Sequence, residues 1–536
     1  MAPDPNPAAT PQPALASAWA RWRLHAALIA LTLAAYANAP LGRYCYDDVT
    51  VICERRAIES WAGLPKLVSR EYSPAFGELS YRPLVSLSYF LDGAVFGKSP
   101  FYSRWINIVL HLAVGLALFG LWNELFGRPW LSFLAAAFFL VHPITTEAVD
   151  CAGFREELLS TLLMVWSLRL FWRGLLAPSS SGRWLRSLSA AAVWLLALLA
   201  KESALSAVAL APTVFLVSPA VGGALRPWDR SKAKRLAPAV LGFAAAFAVW
   251  LWLYLAFSHG GAKPSWPGGR GPLLGVLNFC RTFVLYLRLW ALPVGLSVGH
   301  CFEVSGSYGD WRLWAGAAVA ALFAAGSALA FVRGRIAGAG GLWVCFALAP
   351  VAQLIPTPEL LAERFLYMPH AGMALLFAAL LCSVRTAWER KGHPGRLRVW
   401  KGAIAALIAV LIALTSARNR DWRDDATLNI RRYEQWNNAV GRAALGALHL
   451  SRNELDKARS YCLEALAMDA DLADAHRVLG LIYLQEGRAD LARPHIERAV
   501  ELDPGKAENR GALERLNQSA PAGPEDIVDC RLPIGD

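Results

Sequence analysis

The chain has 536 residues, of which 56% are hydrophobic and only 18% charged, with 22 Trp. That balance argues against an ordinary soluble enzyme and fits a protein that crosses a membrane many times. The formal charge of +12 does not point to nucleic acid, because Lys and Arg lie between apolar runs instead of gathering in one patch. They read as topology signals.

In chain order, a Pro- and Ala-rich start ending in Arg21 and Arg23 reads as a cytoplasmic arm over 1–23, without fixed structure at first. The first apolar stretch is 24–42. Ala37-Asn38-Ala39 behind it has the processing pattern of a cleaved signal, but Pro40 directly after the cut disfavours cleavage, so a retained first helix is expected. Further stretches able to cross ~30 Å of hydrocarbon occupy 101–125, 130–147, 157–173, 185–200, 203–220, 237–257, 312–332, 341–356, 365–384 and 401–417. Arg128, the segments Arg173 to Arg186 and Arg226 to Arg235, Arg333 with Arg335, and the segment Arg385 to Lys401 mark cytoplasmic connections. Connections 43–100, 148–156, 201–202, 258–311 and 357–364 then face outward, as does everything after 417. The scheme requires 275–297, which holds Arg281, Arg288 and Pro293, to be re-entrant or interfacial. It predicts about eleven crossings.

Beyond residue 417, Leu445-Gly446 recurs as Leu479-Gly480, Ala458 as Ala492, Ala465 as Ala499 and Asp469 as Asp503, a period of 34 residues. That period, with small residues at fixed places, is the tetratricopeptide signature of stacked helix pairs. Two repeats bury too little to stand alone, so 421–436, with Trp422, Leu428, Tyr433 and Trp436, and the amphipathic 506–516 are expected to cap them. The predicted fold is all-α: a polytopic transmembrane body over 24–417, a C-terminal tetratricopeptide-repeat domain over 418–516, and a flexible tail over 517–536. The nine Cys show no CxxC pair and no metal-ligand spacing, so no metal site is expected. Cys45 and Cys53 are close enough to pair in an oxidising compartment; two free thiols are the alternative.

Polar groups gather on the connections assigned outside. The first begins Tyr46-Asp47-Asp48, and adjacent carboxylates at a membrane exit suit general-base work, since desolvation and mutual repulsion raise one pKa. A solvated turn is the plainer reading. The same connection carries Arg82 and Arg104, whose planar donor forks suit phosphate. The second holds His142, Glu147, Asp150, Arg155, Glu156 and Glu157; the third is Lys201-Glu202; the fifth ends in Glu363-Arg364. Charges between apolar helices are costly unless they pair or face water.

These residues fall in an order that is familiar. The Asp-Asp pair is followed by Tyr81-Arg82-Pro83-Leu84, Trp105-Ile106-Asn107-Ile108, His142-Pro143-Ile144-Thr145-Thr146-Glu147 and Arg155-Glu156-Glu157-Leu158-Leu159. Ala200-Lys201-Glu202-Ser203, Glu363-Arg364-Phe365-Leu366-Tyr367-Met368-Pro369 and Trp422-Arg423-Asp424 come next, leading into the repeats. The chain resembles the transmembrane and tetratricopeptide-repeat O-mannosyltransferases, of the GT-C class of membrane glycosyltransferases. The resemblance implies a sugar, mannose or another hexose, carried on a polyprenyl phosphate and transferred to hydroxyls of an exported protein at the outer membrane face. It implies a base at Asp47 or Asp48; adjacent residues rarely point the same way, so unequal roles are expected, and Asp48 is narrowly preferred. It also implies phosphate binding by Arg364 and by Arg82, Arg155 and Lys201. Glu363, Glu202, His142, Glu147 and Glu156 are expected as supporting groups. No cofactor is required, because basic side chains can neutralise the leaving phosphate; a divalent cation remains compatible. The Ala- and Arg-rich composition suggests a bacterial inner-membrane version, and the two clear repeats are fewer than the long arrays of the animal members. The alternatives are the same chemistry on a lipid or surface-glycan acceptor, and a non-catalytic membrane scaffold whose repeats dock partners.

Overall fold

The computed structural model describes residues 14–54, 61–73, 80–217, 230–258, 266, 271–357 and 359–518. The start of the expected arm, Arg226 in its basic connection, and the tail from 519 lie outside these residues. Among the described residues there is no β-strand.

The body consists of α1 (Ala14–Tyr36), α2 (Pro83–Phe96), α3 (Pro100–Phe126), α4 (Pro129–Val141), α5 (Thr146–Asp150), α6 (Arg155–Leu175) and α7 (Ser180–Ala200). It continues with α8 (Ala207–Val217), α9 (Arg230–Phe257), α10 (Pro272–Ala291), α11 (Trp311–Val332), α12 (Ile336–Leu348), α13 (Tyr367–Arg390) and α14 (Pro394–Asn419). Helix is the form these apolar runs must take, since hydrocarbon offers the backbone no partners. Proline sets many of the starts: Pro83, Pro100, Pro129, Pro272 and Pro394 each occupy the first turn, where the missing N–H costs nothing. Pro143 breaks the chain after α4 and bends it by 55°. The centre is built by α3, α4, α6 and α13, where Trp122, Phe139, Met164 and Tyr367 are buried in one cluster.

Nine helices among the described residues are long and apolar enough to cross a membrane, and the bent pair Pro129–Val141 with Pro143–Asp150 makes a tenth. Of the other predicted spans, 203–220 and 341–356 hold the shorter apolar helices Glu202–Leu216 and Ile336–Val351 among the described residues, residues 218–220 lying outside them. An apolar run reports burial, and burial between other helices looks the same as burial in lipid. Helix α10 is long enough to cross, yet the chain after it turns back. Residues 292–310 form a strap: Ser297 and His300 bond Glu363, and the Ser305 carbonyl accepts from Asn278 Nδ2 at 3.0 Å. Leu313 at the start of α11 packs beside Leu274 at the start of α10. The strap therefore runs back along α10 toward its start.

The first and last body helices end side by side. Asn38 Nδ2 donates to the Ser416 carbonyl at 2.8 Å, and Asn419 Nδ2 to the Ala35 carbonyl at 2.9 Å. The connection after α1 and the repeats after α14 consequently share one face, whatever the number of crossings between them.

The repeat domain comprises α15 (Asp425–Glu434), α16 (Ala439–Ser451), α17 (Leu455–Met468), α18 (Ala473–Gln485), α19 (Ala489–Leu502) and α20 (Ala507–Gln518). Asp424 and Asn438 cap α15 and α16 by accepting from Thr427 N and Gly441 N. The repeated glycines let each helix pair close: a Cβ at Gly446 would stand 2.5 Å from Cys462 Sγ, and one at Gly480 2.5 Å from Ile496 Cγ1. The expected caps are present. Tyr433 of α15 packs on Ala444 and Leu445, and Ala512 and Leu516 of α20 cover Ala492 and Ile496. Every cysteine among the described residues is a free thiol. Cys45 is buried and Cys53 exposed, so that pairing does not form.

Candidate active site

The site lies where the connection after α1 meets the starts of α6 and α13. Tyr46 adopts a left-handed backbone conformation with φ of 57°, costly for a bulky residue unless its surroundings impose it. They do so from the repeat side. Tyr46 N donates to Asp425 Oδ1 at 2.6 Å, Arg43 N donates to the Arg423 carbonyl at 2.7 Å, and Arg104 Nη2 donates to the Trp422 carbonyl at 2.7 Å. The segment leading into the repeats thus clamps the turn that carries the two aspartates.

The two carboxylates have unlike surroundings. Asp48 is fully buried: its Oδ1 accepts from Gly153 N at 2.7 Å and Cys151 Sγ at 3.1 Å, and its Oδ2 from Cys45 N at 3.3 Å. Burial pushes its pKa up, while Arg104 and these hydrogen bonds pull it down. Asp47 is partly exposed, and none of its side-chain oxygens accepts a hydrogen bond from the described residues. Burial lifts its pKa to about 6 against the pull of Arg364, with Glu359, Glu156 and Asp48 adding to the rise. Asp48 holds the loop; Asp47 is the carboxylate with a lone pair to spare.

Arg364 is the central cation. Its main-chain N and Nη1 donate to the two oxygens of Glu147 at 3.0 and 2.6 Å, its Nη2 pairs with Glu359, and its guanidinium lies 4.3 Å over the Phe154 ring. Glu147 thus ties the Arg364 main chain and one guanidinium nitrogen to the same carboxylate, which fixes where the fork lies. Glu359 is the looser partner, with a side chain 41% exposed. A second set adjoins the first. Lys201 pairs with Glu157 and lies 3.6 Å from Glu156, while Arg82 reaches Glu156 at 3.5 Å and Glu202 at 3.0 Å.

Asp47, Arg364, Glu147, Glu156, Lys201, Arg82 and Glu202 therefore come together, from connections far apart in sequence. Four other expected side chains do not join them. Arg155 is buried elsewhere, on Asn107 Oδ1 at 2.9 Å and Asp92 at 2.6 Å, and has no free face for phosphate. His142 lies beneath the site, stacked on Trp290 with Nε2 2.9 Å from the Trp290 carbonyl oxygen. Glu363 points away from Arg364; its Oε1 accepts from Ser297 N at 2.6 Å and pairs with His300 at 2.8 Å. Asp48 is enclosed as described. In each case a neighbour in sequence is not a neighbour in space, because adjacent residues of a helix or turn point apart.

Glu359, Glu157, Phe154 and Tyr46 belong to the cluster but were not among the expected site residues. Tyr46 and Glu157 stand in the runs Tyr46-Asp47-Asp48 and Arg155-Glu156-Glu157 singled out in the sequence, but nothing in those runs shows that they meet. Among the described residues no three or more His, Cys, Asp or Glu converge to hold a metal.

Comparison with known proteins bears on this arrangement. A tetratricopeptide-repeat family model matches residues 473–506. The chain is 24% identical over 527 residues to Protein O-mannosyl-transferase TMTC3 of Mus musculus, covering 89% of this chain and 54% of that protein. It is 32% identical over 149 residues to Protein O-mannosyl-transferase TMTC2 of Homo sapiens, covering 26% of this chain and 17% of that protein. Over 147 residues it is 29% identical to Protein O-mannosyl-transferase TMTC1 of Mus musculus, covering 26% and 16%. The chain spans about half the length, or less, of these curated relatives. Its similarity to the transmembrane and tetratricopeptide-repeat O-mannosyltransferases, read above from ordered motifs, thus runs through nearly the whole multi-pass body and into the repeats.

Proposed function

We propose that this chain is a membrane glycosyltransferase that moves mannose or another hexose from a polyprenyl phosphate to a hydroxyl of an exported protein. The observation that carries the reading is Asp47: an unbonded carboxylate with a raised pKa beside Arg364, on the face shared with the repeats. In the proposed step Asp47 takes the proton of the acceptor hydroxyl as its oxygen forms a bond to the anomeric carbon. The bond from that carbon to the phosphate oxygen breaks, and the phosphate leaves with the electron pair. Attack from the face opposite the phosphate inverts the anomeric centre. Arg364, with Lys201 and Arg82 beside it, is the group suited to hold the charge that develops on the phosphate. Glu359 occupies one end of the guanidinium, so a bound phosphate displaces that half-exposed side chain. No cofactor has a part in this step.

The basic connections support a cytoplasmic assignment for the opposite face and an outer one for Asp47 and the repeats. Mass spectrometry of exported proteins from cells with and without the gene tests the reading. Loss of a hexose mass from Ser or Thr is expected. An unchanged exported proteome, with a surface glycan altered instead, would move the acceptor from protein to glycan, and no change in either would leave the scaffold reading.

A further inference from the structure

Seven Lys and Arg side chains are buried among the described residues. Six have at least one oxygen partner: Arg155 pairs with Asp92, Arg418 with Asp421 and Arg477 with Asp474, Lys201 and Arg364 are bound in the cluster above, and Arg104 donates to main-chain carbonyls. Arg432 is the exception. Its Nε and Nη1 are buried with no acceptor, and no carboxylate lies within ion-pair distance among the described residues. Two aromatic faces are its company, Tyr433 at 5.4 Å and Trp436 at 5.2 Å. They offset only part of the cost of desolvating a cation.

The position of Arg432 gives this vacancy a meaning. It lies on α15, whose first residue Asp425 holds Tyr46 next to Asp47. It also abuts the strap: a Cβ at Gly299 would stand 2.5 Å from Arg432 Nε, so the guanidinium lies directly against the Gly299 main chain. Trp436 Nε1 and Gln435 Nε2 donate to the Gly299 and Leu296 carbonyls, and the same strap bonds Glu363 through Ser297 and His300. An unpaired cation therefore lies at the junction of repeats and site.

We propose that Arg432 binds a carboxylate of the acceptor polypeptide, and so selects segments with Asp or Glu near the modified hydroxyl. The proposal rests on the reading that the acceptor is a protein. A guanidinium fork suits a carboxylate, and the helix that carries Arg432 begins at Asp425, which holds the turn bearing Asp47. A lipid phosphate is the poorer match, because Arg432 belongs to the repeat domain beyond the strap, whereas Arg364 belongs to the body.

The test uses the full chain in nanodiscs and a short fluorescent peptide with one Thr flanked by Asp, together with its Asn twin. The wild type should bind the Asp peptide ~10-fold more tightly than the twin, as expected for one charge-assisted hydrogen-bonded contact. Arg432→Gln should bind both peptides as the wild type binds the twin, and Arg432→Lys should keep part of the preference. Equal binding of both peptides by the wild type overturns the proposal without reference to any variant, as does a preference that survives in Arg432→Gln. Competition by a polyprenyl phosphate without sugar that is lost in Arg432→Gln would assign the site to phosphate and also overturn it. Sugar transfer measured in parallel separates the two readings: an Asp preference without transfer keeps the carboxylate site and rejects the transferase.

Discussion

Replacing Asp47 and Asp48 one at a time separates a catalytic carboxylate from a structural one. Asp47→Asn keeps the size of the side chain and removes the proton acceptor, so transfer should fall by ~10²–10⁴-fold. The thermal midpoint should not fall, because the described residues make no hydrogen bond to the Asp47 carboxylate. Asp48→Ala should do the reverse. It orphans the buried N–H groups of Gly153 and Cys45, at about 1–3 kcal/mol each, and any loss of rate should follow the loss of folded protein. The wild-type pH profile carries the same signature. A pKa of about 6 leaves Asp47 ~90% ionised at pH 7 and ~10% at pH 5, a roughly tenfold loss of rate on acidification if the base form is required. The sign follows from the role: activity is present above the folded pKa and lost as pH falls through it. Because Arg364 is the main influence holding that pKa down, Arg364→Ala should shift the acid limb to higher pH. The assay is transfer of labelled sugar in nanodiscs, with thermal unfolding of each variant in detergent. A wild-type rate in Asp47→Asn, or an inactive but undiminished fold in Asp48→Asn, would refute the division of roles.

Further outcomes follow from the same geometry. Arg364→Ala should weaken binding of the lipid-phosphate donor by at least tenfold, Arg364→Lys should restore part of it, and Glu359→Gln should strengthen it by releasing Nη2; donor titration measures all three. Gly480→Val forces a side chain against Ile496 and should destabilise the repeats by about 1–3 kcal/mol, read as earlier proteolysis of the repeat domain with the body intact. A reporter fused after residue 440 should behave as periplasmic or luminal; a cytoplasmic signal would reverse the sidedness of Asp47, Arg364 and the repeats together.

Much of this protein is legible without coordinates, for reasons that are local. The 34-residue spacing of Gly446 and Gly480 and of Ala458 and Ala492 reflects helices that touch at fixed intervals, and contact at a fixed interval imposes a period on the chain. Proline at helix starts and long apolar runs report equally local demands on the backbone. The clustering of charges on the connections between apolar helices was legible too, because such a charge is tolerated only where it has a partner or water.

What local pattern cannot carry is direction and partnership. Asp47 and Asp48 are indistinguishable in the sequence, and only the fold turns one onto Gly153 and leaves the other open. Arg155 and Arg364 both begin apolar helices, yet Asp92 and Asn107 occupy the first while the second faces Asp47. The strap that brings His300 to Glu363 was likewise decided by packing between distant segments. Composition determines that a residue must be buried or paired; which residue answers it depends on contacts between elements hundreds of positions apart, and those exist only once the chain has folded.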